Sequence, residues 1–182
     1  MNIFNEIPEI KKHWHEIQHL FIQKNFAPKT TLLLEGDISD YIFFINKGAV
    51  RLWNNDDGKD ITVQFFLENQ VVSSFESFYL KQPSNFSIET IENAQVTLLS
   101  RESLALLTTR FPTLNNVITN LVCERFIDYS NFFLSRIKDT PEKRYQDFIE
   151  NNPALIKRVP QHYIASYLGI TPVSLSRIKN RK

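Results

Sequence analysis

Apolar side chains recur every three or four residues at the start of the chain and on a shorter period soon after, so the pattern itself divides the molecule. Ile7, Ile10, Trp14 and Ile17 fall on one face of a short amphipathic helix predicted over 7–19. From about 20 to 100 the pattern changes to short β-rich runs: LFIQKNF, TLLLE, YIFFIN, AVRLWN, ITVQFFL, QVVSSF, NFSIET and QVTLLS. Turn signals separate them, notably EGD at 35–37, NKG at 46–48 and NNDDGK at 54–59. Some eight strands in that span predict an antiparallel sandwich or barrel.

Helical periodicity then returns. Residues 101–110 (RESLALLTTR) form one predicted helix, and a longer one runs over 113–138 without glycine or proline. Along it Leu114, Ile118, Leu121, Val122, Phe126, Tyr129, Phe133 and Ile137 recur at helical spacing. That seam is wide enough to serve a second chain as well as the β-domain, and Ile118, Leu121, Val122, Phe126, Tyr129 and Phe133 are the expected dimerisation residues. The alternative is packing on the chain's own β-domain alone. Asp139-Thr140-Pro141-Glu142 ends this helix and caps the next, since Asp or Thr serves as N-cap and proline suits the first turn. The expected organisation is a β-domain over 1–112, a connecting helix over 113–138 and a small C-terminal domain over 139–182.

Length and composition fit this division. The 182 residues, 42% hydrophobic and 13% aromatic, are enough for one full core and a small second unit and too apolar for disorder. No apolar run has the length of a membrane span and the N-terminus lacks a signal core, so the expected location is cytoplasmic. Net charge is +1, but residues 1–150 carry 15 basic and 20 acidic side chains whereas 151–182 carry six basic and none acidic. A basic end on an acidic body suggests a docking surface for a polyanion; a merely solubilising tail would look the same by charge alone.

The frame in which those basic residues sit separates the two readings. VPQHYIASYLGITPVSLSRIKNRK divides into a helix over about 161–168, a turn, and a second helix over about 172–181. Ala165 is small where the second helix crosses, Gly169 supplies the positive φ of the turn, and Ile164, Leu168, Ile170, Leu175 and Ile178 hold the pair together. Thr171 as N-cap and Pro172 in the first turn specify where the second helix begins. Val173, Ser174, Ser176, Arg177, Lys179 and Arg181 supply its outward side chains, with Thr171 at its start. Arg177 is the expected base reader because its fork matches the two guanine acceptors of the major groove. Lys179, Arg181 and Lys182 suit phosphates, which give affinity without sequence information.

A leading helix, a β-roll with EGD and INKGAVRLW, a long helix, a hinge and a terminal helix-turn-helix together resemble the Crp/Fnr family of bacterial transcription regulators. TPEKRYQDFI through RVPQHYIASYLGITPVSLSRIKNR is especially similar to the Crp-type regulators of Bacteroidetes-like bacteria. The resemblance implies an α+β fold: an N-terminal antiparallel β-roll of the cyclic-nucleotide-binding jelly-roll type, a dimerisation helix and a C-terminal winged-helix-like domain. It implies a homodimer on a near-palindromic operator in double-stranded DNA, with RNA polymerase as a further partner and an unknown small-molecule effector, or none. Gln161 and His162, leading into the first helix, are then expected to touch the DNA backbone, and Arg177 matches the family's recognition-helix arginine. Pro172 and Val173 replace side chains that read bases in the best-known members, so no operator is carried over. The sequence stops soon after the recognition helix, which leaves little for a wing.

In relatives that bind cyclic AMP, a Gly-Glu pair holds the ribose and, about ten residues later, an Arg-Ser/Thr pair holds the phosphate. Here Phe75-Glu76 and Phe86-Ser87 stand at that spacing, so Glu76 and Ser87 match while the glycine and arginine are phenylalanines. A buried phosphate needs charge-assisted hydrogen bonds, and no functional cyclic AMP site is expected. Phe75, Phe78, Tyr79 and Phe86 either line an apolar pocket for another effector, with Glu76 and Ser87, or simply fill the roll; the second reading is favoured because aromatics at strand positions ordinarily make core.

No enzyme emerges. His13, His15 and His19 have no cysteine near them, and 20–161 contain no histidine, which removes metal catalysis of the cupin kind; no metal or other cofactor is expected. Cys123 is the single cysteine, no nucleophilic triad has supporting turn chemistry, and four glycines make no phosphate loop. Two functions remain: a homodimeric sequence-specific regulator, or an effector-binding or protein-interaction module of the same fold without DNA readout.

Overall fold

The computed structural model describes residues 7–180, and the chain divides into two compact units, residues 1–106 and 107–182.

The first unit opens with a broken helix. In place of the continuous helix expected over 7–19 stand α1 (Pro8–Lys12), α2 (Trp14–Ile17) and a 3-10 turn (Gln18–Leu20). His13 leaves the helical region between them, its amide donating back to Ile10 O, while its Nδ1 lies 2.9 Å from Glu16 Oε1. Helices this short are marginal alone, so burial decides: Ile10 and Ile17 are both fully buried and anchor the two pieces separately.

Eight strands follow: β1 (Phe21–Phe26), β2 (Thr31–Leu33), β3 (Tyr41–Lys47), β4 (Val50–Asp56), β5 (Lys59–Phe66), β6 (Val71–Val72), β7 (Ser87–Thr90) and β8 (Ala94–Ser100), with α3 (Phe75–Leu80) between β6 and β7. They form two four-stranded antiparallel sheets, ordered β1-β8-β3-β6 and β2-β7-β4-β5. Alternating side chains from both sheets, including Phe43, Ile45, Val50, Leu52, Phe66, Ile88, Val96 and Leu98, make the core of the roll. The turn into β4 depends on Gly48. Its φ is +97°, and an added Cβ would lie 2.6 Å from Asn93 O, so the chain before β8 passes close only because no side chain is there.

α4 (Arg101–Arg110) leads to the second unit, which is helical: α5 (Leu114–Lys138), α6 (Pro141–Asn151), α7 (Pro153–Arg158), α8 (Gln161–Leu168) and α9 (Pro172–Asn180). Thr140 is the N-cap of α6, its hydroxyl accepting from the Lys143 amide at 3.3 Å, with Pro141 in the first turn. The amphipathic pattern did not reveal α7, a helix of fewer than two turns. Its Leu155 joins Phe148, Val159, Tyr163, Ile164, Ala165, Leu168 and Leu175 among the buried residues of this unit. Among the described residues no helix is long and apolar enough to cross a membrane.

Candidate nucleic-acid interface and effector region

Local chemistry fixes the relation of α8 to α9. Gly169 takes φ +68° after α8, the Gly169 amide donates to Ser166 O at 2.9 Å and the Ile170 amide to Ala165 O at 3.0 Å, which closes the helix with the paired bonds of a Schellman turn. Thr171 then caps α9: its hydroxyl accepts from the Ser174 amide at 3.1 Å and pairs with the Ser174 hydroxyl at 3.0 Å. Ala165, Ile164, Leu168 and Leu175 are buried between the helices.

Val173, Ser176 and Arg177 are exposed on one face of α9, and Arg177 has no partner among the described residues. Asn180 lies seven residues beyond Val173 and extends the same exposed face, an addition that the seven-residue spacing signals. Ser174 is half-buried, and the hydroxyls of Thr171 and Ser174 serve the cap. Gln161 and His162 do not merely lead into α8 but form its first turn, both exposed. Lys179 Nζ donates to Gln161 Oε1 at 3.1 Å, joining the two ends of the motif on its exposed side. Arg181 lies outside the described residues.

Two arginines, absent from the sequence reading, meet the motif from behind. Arg136 Nη2 donates to Tyr167 O, and Arg144 Nη2 donates to Leu168 O at 3.1 Å. The Tyr167 ring lies between Phe132 (5.2 Å) and Phe148 (5.4 Å), and the Arg136 guanidinium stacks 4.7 Å over Phe132. Burial, with Arg144 beside it, lowers the Arg136 pKa, and burial raises that of the Tyr167 phenol.

On α5 the apolar side chains reach solvent. Phe126, Phe133 and Ile137 are 71%, 67% and 69% exposed, and Val122 and Tyr129 share their stripe. Ile127 and Leu134, which the sequence seam omitted, widen it. Ile118 is half-buried at its edge, and Leu121, also half-buried, lies about 100° round the helix from Val122.

The aromatics of the candidate effector region go to different places. Phe75 and Tyr79 stack on each other on α3 and are 57% and 73% exposed, so they are not core as the favoured reading had it. Phe75 and Tyr79, one turn apart, lie on the exposed side of α3, whose buried side is taken by Ser77. Phe78 lies under the Arg101 guanidinium at 5.1 Å, whereas Phe86 packs against the core. Glu76 Oε2 accepts from Asn85 Nδ2 at 3.2 Å, and the buried Ser87 hydroxyl accepts from the Glu35 amide at 2.9 Å. Beneath α3, Ser74, Ser77 and Ser84 are buried and satisfied, with Ser84 Oγ donating to Ser74 Oγ at 2.8 Å and the Ser39 amide donating to Ser77 Oγ at 2.9 Å.

Arg51 is the unexpected residue of this region. Val50 and Leu52 face the core, so Arg51 and Trp53 face the other side of β4, where register places Glu89 opposite Arg51 and Ser87 opposite Trp53. Arg51 is 2% exposed, donates through Nε to Glu89 (3.0 Å) and Nη2 to Asp60 (2.8 Å), and lies 4.5 Å over Trp53. Strand alternation turns Arg51 away from the core, and the tertiary structure then covers it.

The chain resembles known proteins in both sequence and fold. Residues 23–110 match the family described as cyclic nucleotide-binding domain. A search of curated proteins gave no match. FixK2 from Bradyrhizobium japonicum superposes with a TM-score of 0.76 at 17% identity, covering 88% of this chain and 83% of that one. CLP from Xanthomonas campestris, a c-di-GMP responsive global regulator, gives 0.76 at 13% identity, covering 92% and 89%. The Thermus thermophilus catabolite activator protein gives 0.61 at 17%, covering 97% and 84%. Residues 23–110 thus resemble the cyclic nucleotide-binding domain family, and the chain as a whole shares the fold of FixK2, CLP and the catabolite activator protein.

Proposed function

We propose that the protein is a homodimeric, sequence-specific DNA-binding transcription regulator that does not respond to cyclic AMP. The observation that carries this reading is α9: a helix capped by Thr171, seated on α8, with Val173, Ser176, Arg177 and Asn180 exposed together and Lys179 beside them. An exposed arginine flanked by small residues on such a helix suits a major groove, where the fork reaches guanine O6 and N7. The apolar stripe on α5 supports a second copy as partner, because a water-exposed face of that kind invites burial.

The test is selection of bound fragments from a random DNA library at two salt concentrations. An inverted repeat with half-site centres about one helical turn apart is the expected product. Arg177→Ala is expected to relax base preference at one position of each half-site, costing about 1–3 kcal/mol there, while Lys179→Ala weakens all sequences alike and lowers the salt slope by about 1. Uniform loss in both variants overturns these roles.

Cyclic AMP non-responsiveness rests on charge. On the face that Ser87 shares, one buried guanidinium is already matched by Glu89 and Asp60, and Phe86 stands where a phosphate-binding arginine would. A phosphate there adds a further negative charge with no cation to receive it. Millimolar cyclic AMP is therefore expected to leave the Tm unchanged in a thermal melt, and a clear rise would show binding.

A further inference from the structure

We propose that Arg136 and Arg144 are positioning residues that set the angle between α5 and the recognition helix α9, and thereby the half-site spacing the dimer accepts. The inference rests on the regulator reading above and deepens it.

A helix leaves four carbonyls unpaired at its C-terminus. In α8 the Schellman turn uses two, Ala165 O and Ser166 O. The other two, Tyr167 O and Leu168 O, receive Arg136 from α5 and Arg144 from α6. Each carbonyl is thus assigned, and the two not closed locally are closed by cations from other helices, the sign that a helix C-terminus favours. Arg144 also donates through Nη1 to Asp139 O at 2.7 Å, which ties the segment between α5 and α6 into the same cluster. Gly169 lies against this contact as well: a Cβ there would meet the Arg136 guanidinium, which would have to shift. Phe132 and Phe148 hold the Tyr167 ring from the same two helices.

The geometric consequence follows from leverage. If α5 lies at the dimer seam, the direction of each α9 relative to its own α5 decides how far apart, and at what rotation, two recognition helices meet the duplex. Guanidinium forks make directional, planar contacts, so losing them leaves α8 and α9 folded against each other but free to pivot on α5.

The experiment uses the whole 182-residue chain, the inverted repeat recovered by selection, and the same repeat with two base pairs inserted between half-sites, which rotates them by about 70°. The wild type is expected to bind the native spacing much more tightly. In the Arg136→Gln, Arg144→Gln double variant, affinity for the native spacing is expected to fall about tenfold or more while affinity for the altered spacing and the salt slope stay as they were, so discrimination collapses. Arg136→Lys with Arg144 intact keeps a charged donor and is expected to restore most of it. Equal loss at every spacing, as from general destabilisation, or unchanged discrimination overturns the proposal.

A second arm needs no DNA. Labels on Cys123 and on Ser176→Cys, in labelled chain diluted with unlabelled chain, report the α5 to α9 distance. The distribution is expected to be narrow with both arginines and broad without them; equal widths overturn the proposal. A wild-type chain that selects no sequence defeats the regulator reading instead, and the distance arm then decides the positioning claim alone.

Discussion

Arg51→Met is expected to destabilise the first unit by about 3–5 kcal/mol, the cost typical of removing one partner from a buried ion pair. Its guanidinium is 2% exposed and bridges Glu89 at 3.0 Å and Asp60 at 2.8 Å. Asp60 is well exposed and can return to water, but Glu89 is largely covered and would keep its charge without its partner. For a unit of this size the loss corresponds to a Tm lower by on the order of 10–20 °C. The double variant Arg51→Met, Glu89→Met removes both charges from the covered face and is expected to recover more than half of the loss, since a buried pair is close to neutral against apolar residues of similar volume. Thermal and urea denaturation of the single and double variants measure this directly. A single variant within about 1 kcal/mol of wild type would mean that the cluster is solvated and contributes little.

Phe126→Asp combined with Phe133→Asp is expected to abolish the dimer. The two side chains lie one heptad apart, are 71% and 67% exposed in the single chain, and sit at the centre of the stripe formed with Val122, Tyr129 and Ile137. In a dimer about α5 the substitutions bury four like charges at one seam, each costing several kcal/mol unless paired. The loss therefore exceeds ~1,000-fold in the dimer constant. In the monomer both positions face water, so the fold and the Tm of the monomeric species should change little. Sedimentation equilibrium reads the association directly, and binding to the full inverted repeat should fall to that of an isolated half-site. A variant that remains dimeric at micromolar concentration would place the second copy on another surface.

Apart from α7, the order of elements was legible where each rests on local chemistry. Every strand run predicted from residues 20 to 100 has a strand in the roll. The two helices of the terminal motif begin at Gln161 and Pro172, where the sequence put them, since Gly169, Thr171 and Pro172 act on their own backbone neighbours. Phe75 and Tyr79 were less legible. Composition says that such rings are usually covered, yet coverage depends on what lies above a helix, and among the described residues Phe75 and Tyr79 stay more than half exposed. The broken opening helix belongs with them: Ile10 and Ile17 repeat at helical spacing, but a chain this short follows its anchors rather than its period.

Spacing in the chain was enough for the run of antiparallel strands, the long apolar helix, the capped helix α9 and the basic end, because periodicity, caps and turn residues act within a few positions of one another. The arginines belong to a different level. Arg51 pairs with Glu89 across 38 positions, and Arg136 and Arg144 reach α8 across 31 and 24. A guanidinium on a long side chain is read from sequence as surface charge, and only when folding brings distant carboxylates or helix-end carbonyls within hydrogen-bond reach does it become a buried bridge or a clamp.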